Sequence, residues 1–330
     1  MNKIAKSLCM MAVVALAFTS CKKNQTDTQS IKFNGTTQQF EVLNDGDDFE
    51  KVYLDGNNTV QFEEGERIQL FNVMSPEGTG SNAVLYELDA NMILQQIEGY
   101  GEIGSQTSGN YYAFYPGENV KRLNLSNGNR AKFRLDAIQN DRRDDAGNVM
   151  IPMKALYMAA KDMTHTNLVD AYYDFKNICG MLSLKFYSPS GKTVKSIEVT
   201  DNHFNLVGDV TLKIHEVDPV YMTTLFRNYD ENNSTYMAEL QEYLSADRLG
   251  YMLDGDISRT LTLDCGNGVQ LGTTKAEATR FFLVMRPLAL LKGCTIKITF
   301  TDDTEKVITS TKNNMISPNV IRNISAINVD

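Results

Sequence analysis

Apolar and polar residues alternate one by one through much of the second half of this chain, and that period of two restricts the local structure to strands. In LSLKF, Leu182, Leu184 and Phe186 fall on one side, Ser183 and Lys185 on the other. In DVTLKI the apolar set is Val210, Leu212 and Ile214; in RTLTLDC it is Leu261, Leu263 and Cys265. CTIKITF sets Cys294, Ile296, Ile298 and Phe300 against Thr295, Lys297 and Thr299. Successive side chains of a strand point to opposite faces, so this alternation predicts sheets with one buried and one wetted face, as in antiparallel sandwiches. Hairpin-type turn signals separate the runs at Ser190-Gly191, Asn267-Gly268 and Thr301-Asp302-Asp303-Thr304.

The first half reads the same way with longer loops. Its candidate strands are Ile31–Phe33, Phe40–Val42, Lys51–Leu54, Thr59–Phe62, Arg67–Val73, Ala83–Leu88 and Tyr111–Tyr115. Asn34-Gly35, Asp45-Gly46, Asp55-Gly56 and Asn127-Gly128 punctuate them. Residues 137–150, AIQNDRRDDAGNVM, are polar enough to predict an exposed loop with Arg142-Arg143 as its most protease-accessible point. Helix is scarce; the best candidate runs from Ser234, as N-cap, to Leu244, with Met237, Leu240 and Tyr243 on one face. The polar run KDMTHTN before the apolar restart at YYDF sets a domain boundary near Asn167. The reading is all-β, two sandwiches in series over residues 31–167 and 168–330, with no internal repeat.

The N-terminus is of another kind. Lys3 and Lys6 form a positive n-region, Leu8 to Phe18 an apolar run, and Thr19 and Ser20 precede Cys21. The apolar run is shorter than the roughly 20 residues that cross a bilayer, so residues 1–20 read as a secretory signal. Small residues before a cysteine, followed by the polar stretch KKNQTDTQS, resemble a bacterial lipobox, although Phe18 departs from the usual Leu. The alternative is an ordinary signal peptide with an incidental Cys21. On the lipobox reading Cys21 is acylated, and more than one acyl chain gives stable anchoring where a single chain binds marginally. Lys22 and Lys23 would face anionic head groups, and residues 21–30 form a flexible tether. The expected location is the outer membrane, lipid-anchored and surface-exposed.

Loss of Lys3 and Lys6 takes the formal charge from −9 to −11, and an acidic surface without basic clusters argues against nucleic acid as a partner. Trp is absent, so any sugar platform would have to come from the 15 Tyr. Beyond Cys9 and Cys21, Cys179, Cys265 and Cys294 remain, an odd number that gives no disulfide framework. They read as buried small hydrophobes, with a Cys265–Cys294 bridge as the alternative. His165, His203 and His215 share no metal-ligand spacing, and no HExxH, GxSxG, Walker or dinucleotide fingerprint occurs. Asn44-Asp45-Gly46-Asp47-Asp48 lacks the twelve-residue spacing and bidentate Glu of a calcium loop. Neither a cofactor, a metal nor catalysis is expected.

Several segments, in order, resemble the fimbrillin family, the subunits of type V pili. KVYLDGNNTVQFEEGERIQLF has the family's opening hairpin and acidic-Gly-acidic/basic step at Glu64-Gly65-Glu66-Arg67, with Phe62 where Trp is common and Glu66 where Asp is common. YYAFYPG (Tyr111 to Gly117) is similar to its aromatic–Tyr–Pro strand end, and YDFKNICGMLSLKF (Tyr173 to Phe186) to the start of its second domain. LDCGNGVQL (Leu263 to Leu271) and RNISAI (Arg322 to Ile327) resemble its last strands.

The resemblance implies two transthyretin-like sandwiches and assembly by proteolysis and strand exchange with other subunits. The cut would follow Lys51, removing a strand whose plugs are Ile31, Phe33, Phe40 and Val42; the donor tail would carry Ile324, Ala326 and Val329. The alternative is that both segments are their own domains' edge strands. A different class of function is a monomeric surface module that binds glycan or host ligands. If Cys21 carries lipid, Cys21→Ala should abolish membrane retention without lowering the thermal stability of the folded part. Retention of the variant in the membrane fraction after a high-salt wash would refute the lipobox.

Overall fold

The computed structural model describes residues 31–32, 35–37, 41–44, 62, 64–72, 83–97, 111–125, 128–151, 155–161, 172–213, 251–290 and 292–330. Among them there is no α-helix; the strands are joined by turns, loops and short 3-10 segments. The helix expected at Ser234–Leu244, the strand at Lys51–Leu54 and, apart from Phe62, the strand at Thr59–Phe62 lie outside the described residues. The fold is all-β with mostly antiparallel pairing.

The first sheet has eight strands. Its order is β1 (Ile31–Lys32), β6 (Ile93–Gln96), β5 (Ala83–Leu88), β4 (Arg67–Asn72), β7 (Tyr111–Tyr115), β13 (Met158–Lys161), β14 (Tyr173–Asn177) and β2 (Gly35–Thr37). A four-stranded sheet follows the order β18 (Tyr251–Ser258), β17 (Val207–Lys213), β9 (Gly128–Leu135) and β8 (Lys121–Leu125).

Two five-stranded sheets complete the C-terminal half. One runs β10 (Ile138–Asn140), β19 (Thr260–Gln270), β16 (Thr193–Thr200), β22 (Thr295–Phe300) and β23 (Glu305–Thr309). The other runs β20 (Thr279–Met285), β15 (Gly180–Tyr187), β25 (Val320–Asn323) and β3 (Glu41–Asn44), with β26 (Ile327–Asn328) also on β15. Two-stranded pairs join β11 (Arg142–Arg143) to β12 (Val149–Met150), and β21 (Leu288–Leu290) to β24 (Asn314–Ile316).

The alternating runs bury the faces that their pattern demands. Leu261, Leu263 and Cys265 of β19, Ile197 and Val199 of β16, and Ile296, Ile298 and Phe300 of β22 are buried on one side. Leu182, Leu184 and Phe186 of β15 join the same hydrophobic cluster. Each such large side chain contributes about 1.5–3 kcal/mol relative to exposure. Ser183, expected on the wet face, is fully buried.

Asn267-Gly268, expected to turn a hairpin, instead sits inside the eleven-residue β19. Between the pairs Val194↔Val269 and Ser196↔Asp264 the register slips, so residues 265–268 bulge out. Gly266 and Gly268 take φ of 57° and 101°, and a Cβ on Gly268 would come within 2.7 Å of Thr193 Cγ2. The signal marked a positive-φ requirement, which a bulge satisfies as well as a turn does.

Sheets also cross position 167. β9 pairs with β17, β10 with β19, and β13 with β14. One apolar cluster runs from Ile68 to Val329. A composition shift in sequence therefore does not coincide with a break in pairing.

The stretch 137–150, expected as an exposed loop, is ordered and works as a strap. β10 adds in parallel to the edge of β19. From there Gln139, buried, reaches the edge of β20 in the other sheet. Its Nε2 donates to the Val284 carbonyl at 2.6 Å and its Oε1 accepts the Val284 N–H at 3.0 Å. Arg143 donates to the Arg280 carbonyl on the same edge at 2.9 Å, pairs with Asp141 at 2.8 Å and lies 5.1 Å over the Phe281 ring. The polarity of the stretch supplies donors and acceptors to strand edges that would otherwise stay unpaired. Gln139→Ala should cost about 1–3 kcal/mol, because it strands a buried N–H and a buried C=O. Ile138→Thr, on the exposed side of the same strand, should stay within about 0.5 kcal/mol of wild type. Chemical denaturation measures both, and equal midpoints would show that Gln139 contributes nothing to closure.

Candidate functional site

The first sheet begins with β1 and ends with β2, yet these strands are consecutive in the chain, with only residues 33–34 between them. β1 runs antiparallel to β6 (Ile31↔Leu94, Lys32↔Ile93), and β2 runs parallel to β14 (Gly35↔Tyr173, Thr36↔Asp174, Thr37↔Phe175). One segment thus occupies both ends of an eight-stranded sheet. β14 brings buried Tyr173 and Phe175 under this seam. Phe62 meets Phe175 at 5.0 Å and Tyr115 at 5.4 Å between ring centroids, both edge-on, as aromatic quadrupoles prefer. Gly65, at φ 85°, gives its N–H to Leu88 and turns the chain into β4, so the step after Phe62 needs its glycine. Glu66 then accepts the Tyr115 hydroxyl at 2.6 Å; burial, helped by this acceptor, drives the phenol's pKa far up.

The same segment continues into the last sheet. β3 adds in parallel to β25, with Glu41↔Val320, Val42↔Ile321, Leu43↔Arg322 and Asn44↔Asn323. Of the expected plugs, Ile31 lies in β1 and Val42 in β3. Phe33, Phe40, Lys51 and Cys21 lie outside the described residues.

The tail is seated in its own half of the molecule. The Ile324 N–H donates to the Ser183 carbonyl at 2.9 Å and the Val329 N–H to the Tyr187 carbonyl at 3.1 Å. Val329 is fully buried, whereas Ile324 and Ala326 are half-buried. Ile324 and Ile327 line an apolar cleft of about 230 Å³ with Leu182, Leu184, Ile296 and Ile308, between the two five-stranded sheets. Asp330 closes the arrangement. Its carboxylate accepts the Ser188 hydroxyl and both the N–H and hydroxyl of Ser190, the latter two at 2.9 and 2.7 Å. Lys306 donates to its carbonyl oxygen at 2.7 Å. No sequence signal points to this clasp beyond the turn at Ser190-Gly191.

Cys179, Cys265 and Cys294 are free and buried, and burial pushes their thiols up to about 12. The alternative bridge between Cys265 and Cys294 does not form. Thr295 faces Thr200 and Asp264 faces Ser196, so the two cysteines sit toward opposite ends of β16, at least about 13 Å of strand apart. A disulfide needs Cα atoms within about 7 Å. His203 is exposed in the turn after β16, and His165 and His215 lie outside the described residues. Among the described residues no three His, Cys, Asp or Glu side chains gather as metal ligands.

No protein-family model matches the chain, and no curated protein matches its sequence. Solved structures do resemble it. One is a candidate cell adhesion protein from Bacteroides ovatus, 12% identical, with 88% of each chain covered and a TM-score of 0.43. Another, from Bacteroides uniformis and of the same description, is 11% identical over 90% of this chain and 94% of its own, again at 0.43. A fimbrial protein from Bacteroides ovatus is 10% identical over 91% of this chain and 50% of its own, at 0.38. These three neighbours are adhesion and fimbrial proteins of Bacteroides, at similarities too low to transfer a function.

The clasp has a definite pH signature. Hydrogen bonds from Ser188, then Ser190, hold the Asp330 carboxyl below its usual value. A depressed folded pKa stabilises the seated tail above the unfolded value of about 3.9, and the effect is lost as pH falls through the folded pKa. Amide exchange at Val329, corrected for its intrinsic pH dependence, should be flat from pH 7 to 5 and quicken below about pH 4. Asp330→Asn should show fast exchange at every pH. Identical profiles for the two proteins would mean that the carboxylate does not hold the tail.

Proposed function

We propose that this chain is a structural or adhesive subunit of a surface fimbria. It is exported and lipid-anchored through Cys21, and matures by a cut after Lys51. Its partners are other subunits, joined by donor-strand exchange, and the outer-membrane lipid that holds the acylated cysteine. One observation carries this reading: a single segment directly N-terminal to Lys51 supplies both end strands of the first sheet. Removing it would leave the edges of β6 and β14 unpaired over the aromatic group of Phe62, Tyr115 and Phe175. Such an edge pairs with whatever extended chain presents itself. Main-chain ladder bonds then give affinity, and alternate side chains give register. The low-similarity neighbours named as fimbrial and adhesion proteins are consistent with a cell-surface role.

A second reading is favoured by the seated tail. Val329 is buried and Asp330 is clasped within the same chain, so the tail is seated without a second copy, as it would be in a surface module binding glycan or host ligands.

The peptide Ile316 to Asp330 separates the two. Cleaved after Lys51, the protein should melt lower than the intact chain and recover on adding the peptide, whereas the Ile324→Asp peptide should not restore it, since a charge in an apolar pocket is costly. Recovery with neither peptide, or equally with both, would favour the monomeric module.

A further inference from the structure

β25 is the stem of the tail, and β3 is one of its two neighbours. In the intact chain β25 pairs with β15 over Met181↔Ile321, Leu182↔Arg322 and Ser183↔Asn323, and with β3 over four residue pairs on its other side. It is therefore an interior strand, and an interior strand cannot leave its sheet without breaking two ladders. The strand that confines it belongs to the same segment, 31–44, that closes the first sheet.

Reach makes this confinement consequential. The segment 31–44 is fourteen residues long, at most about 46 Å when extended. The residues beyond β25, 324–330, number seven and reach about 23 Å. Residues 324–330 by themselves would cover half of the vacated path. Releasing β25 as well gives eleven residues, Val320 to Asp330, and about 36 Å.

We infer that the segment 31–44 holds the donor as well as the acceptor closed, so that one cut after Lys51 opens the first sheet and frees Val320–Asp330 to join a second copy of this chain. The inference rests on the strand-exchange reading above. It adds that the donor unit starts at Val320 and that its release is coupled to loss of β3. With β3 gone, β25 is an edge strand paired only with β15 in its sheet, and its remaining restraints are the burial of Val320, Ile321 and Val329, the Arg322 hydrogen bond to the Met315 carbonyl and the Asp330 clasp.

Hydrogen exchange on the full chain tests the coupling. Leu43→Pro removes one donor and strains the β3 ladder. Exchange at residues 320–323 and at Val329 should quicken at least tenfold, while β16 and β22 amides keep wild-type protection and report an intact fold. In a second protein, Leu43→Cys with Arg322→Cys, the oxidised form should exchange more slowly at 320–329 than the reduced form. Unchanged protection at 320–329 in the proline variant, or equal protection in the oxidised and reduced forms, overturns the inference. Loss of β16 and β22 protection in the proline variant leaves the decision to the cross-linked protein, which keeps the wild-type backbone. The strand-exchange reading is judged separately by the peptide's effect on the cleaved protein: a loosened tail whose peptide restores nothing leaves the coupling standing and removes strand donation.

Discussion

A strand at the end of a sheet carries a row of N–H and C=O groups with no partner, and each one buried without a hydrogen bond costs on the order of 1–3 kcal/mol. Management of these edges organises the whole molecule. At the first sheet, β1 satisfies β6 and β2 satisfies β14, using consecutive pieces of one segment. At the last sheet the same segment, as β3, covers β25. Elsewhere the chain uses side chains for the same purpose: Gln139 gives the edge of β20 an amide in place of a strand, and Arg143 adds a guanidinium four residues along. Closing an edge with a side chain or a short segment is reversible in a way that a full interior strand is not.

The core is built to match. Phe62 packs edge to face against Tyr115 and Phe175, and Phe175 lies on β14, the strand that β2 pairs. In the C-terminal half the two five-stranded sheets bury Ile197, Leu263 and Ile298 in the same cluster as Leu182, Leu184 and Leu283. Ile324 and Ile327 line the cleft that remains between these sheets, and Asp330 ties the end of the tail to Ser188 and Ser190. Polar and apolar contacts have divided roles there: the apolar residues give the tail its place, and the carboxylate fixes its end.

Some features were legible before any coordinates. Ala83–Leu88 and Tyr111–Tyr115 are strands with the bounds that their pattern set, and the alternation of CTIKITF buries Cys294, Ile296, Ile298 and Phe300 together. The polarity of 137–150 predicts a loop, but sequence polarity reports that a residue needs hydrogen-bond partners without reporting whether water or a strand edge supplies them. Gln139 and Arg143 found protein. The Asn267-Gly268 signal was read as a hairpin for a related reason: positive φ is a local requirement that several architectures satisfy.

What the sequence by itself determined is everything that depends on near neighbours in the chain. The period of two makes strands, the apolar set of each strand selects its buried face, and Gly65 and Gly268 mark where the backbone must take a left-handed conformation. Only the tertiary structure decided the partners: β1 with β6, β2 with β14, β3 with β25, β10 with β19, and Asp330 with Ser188 and Ser190. The physical reason is that backbone ladder groups are alike at every residue. Which edge a strand joins is therefore set by packing over distances of up to about 280 residues, as between Glu41 and Val320, and no local pattern of residues records it.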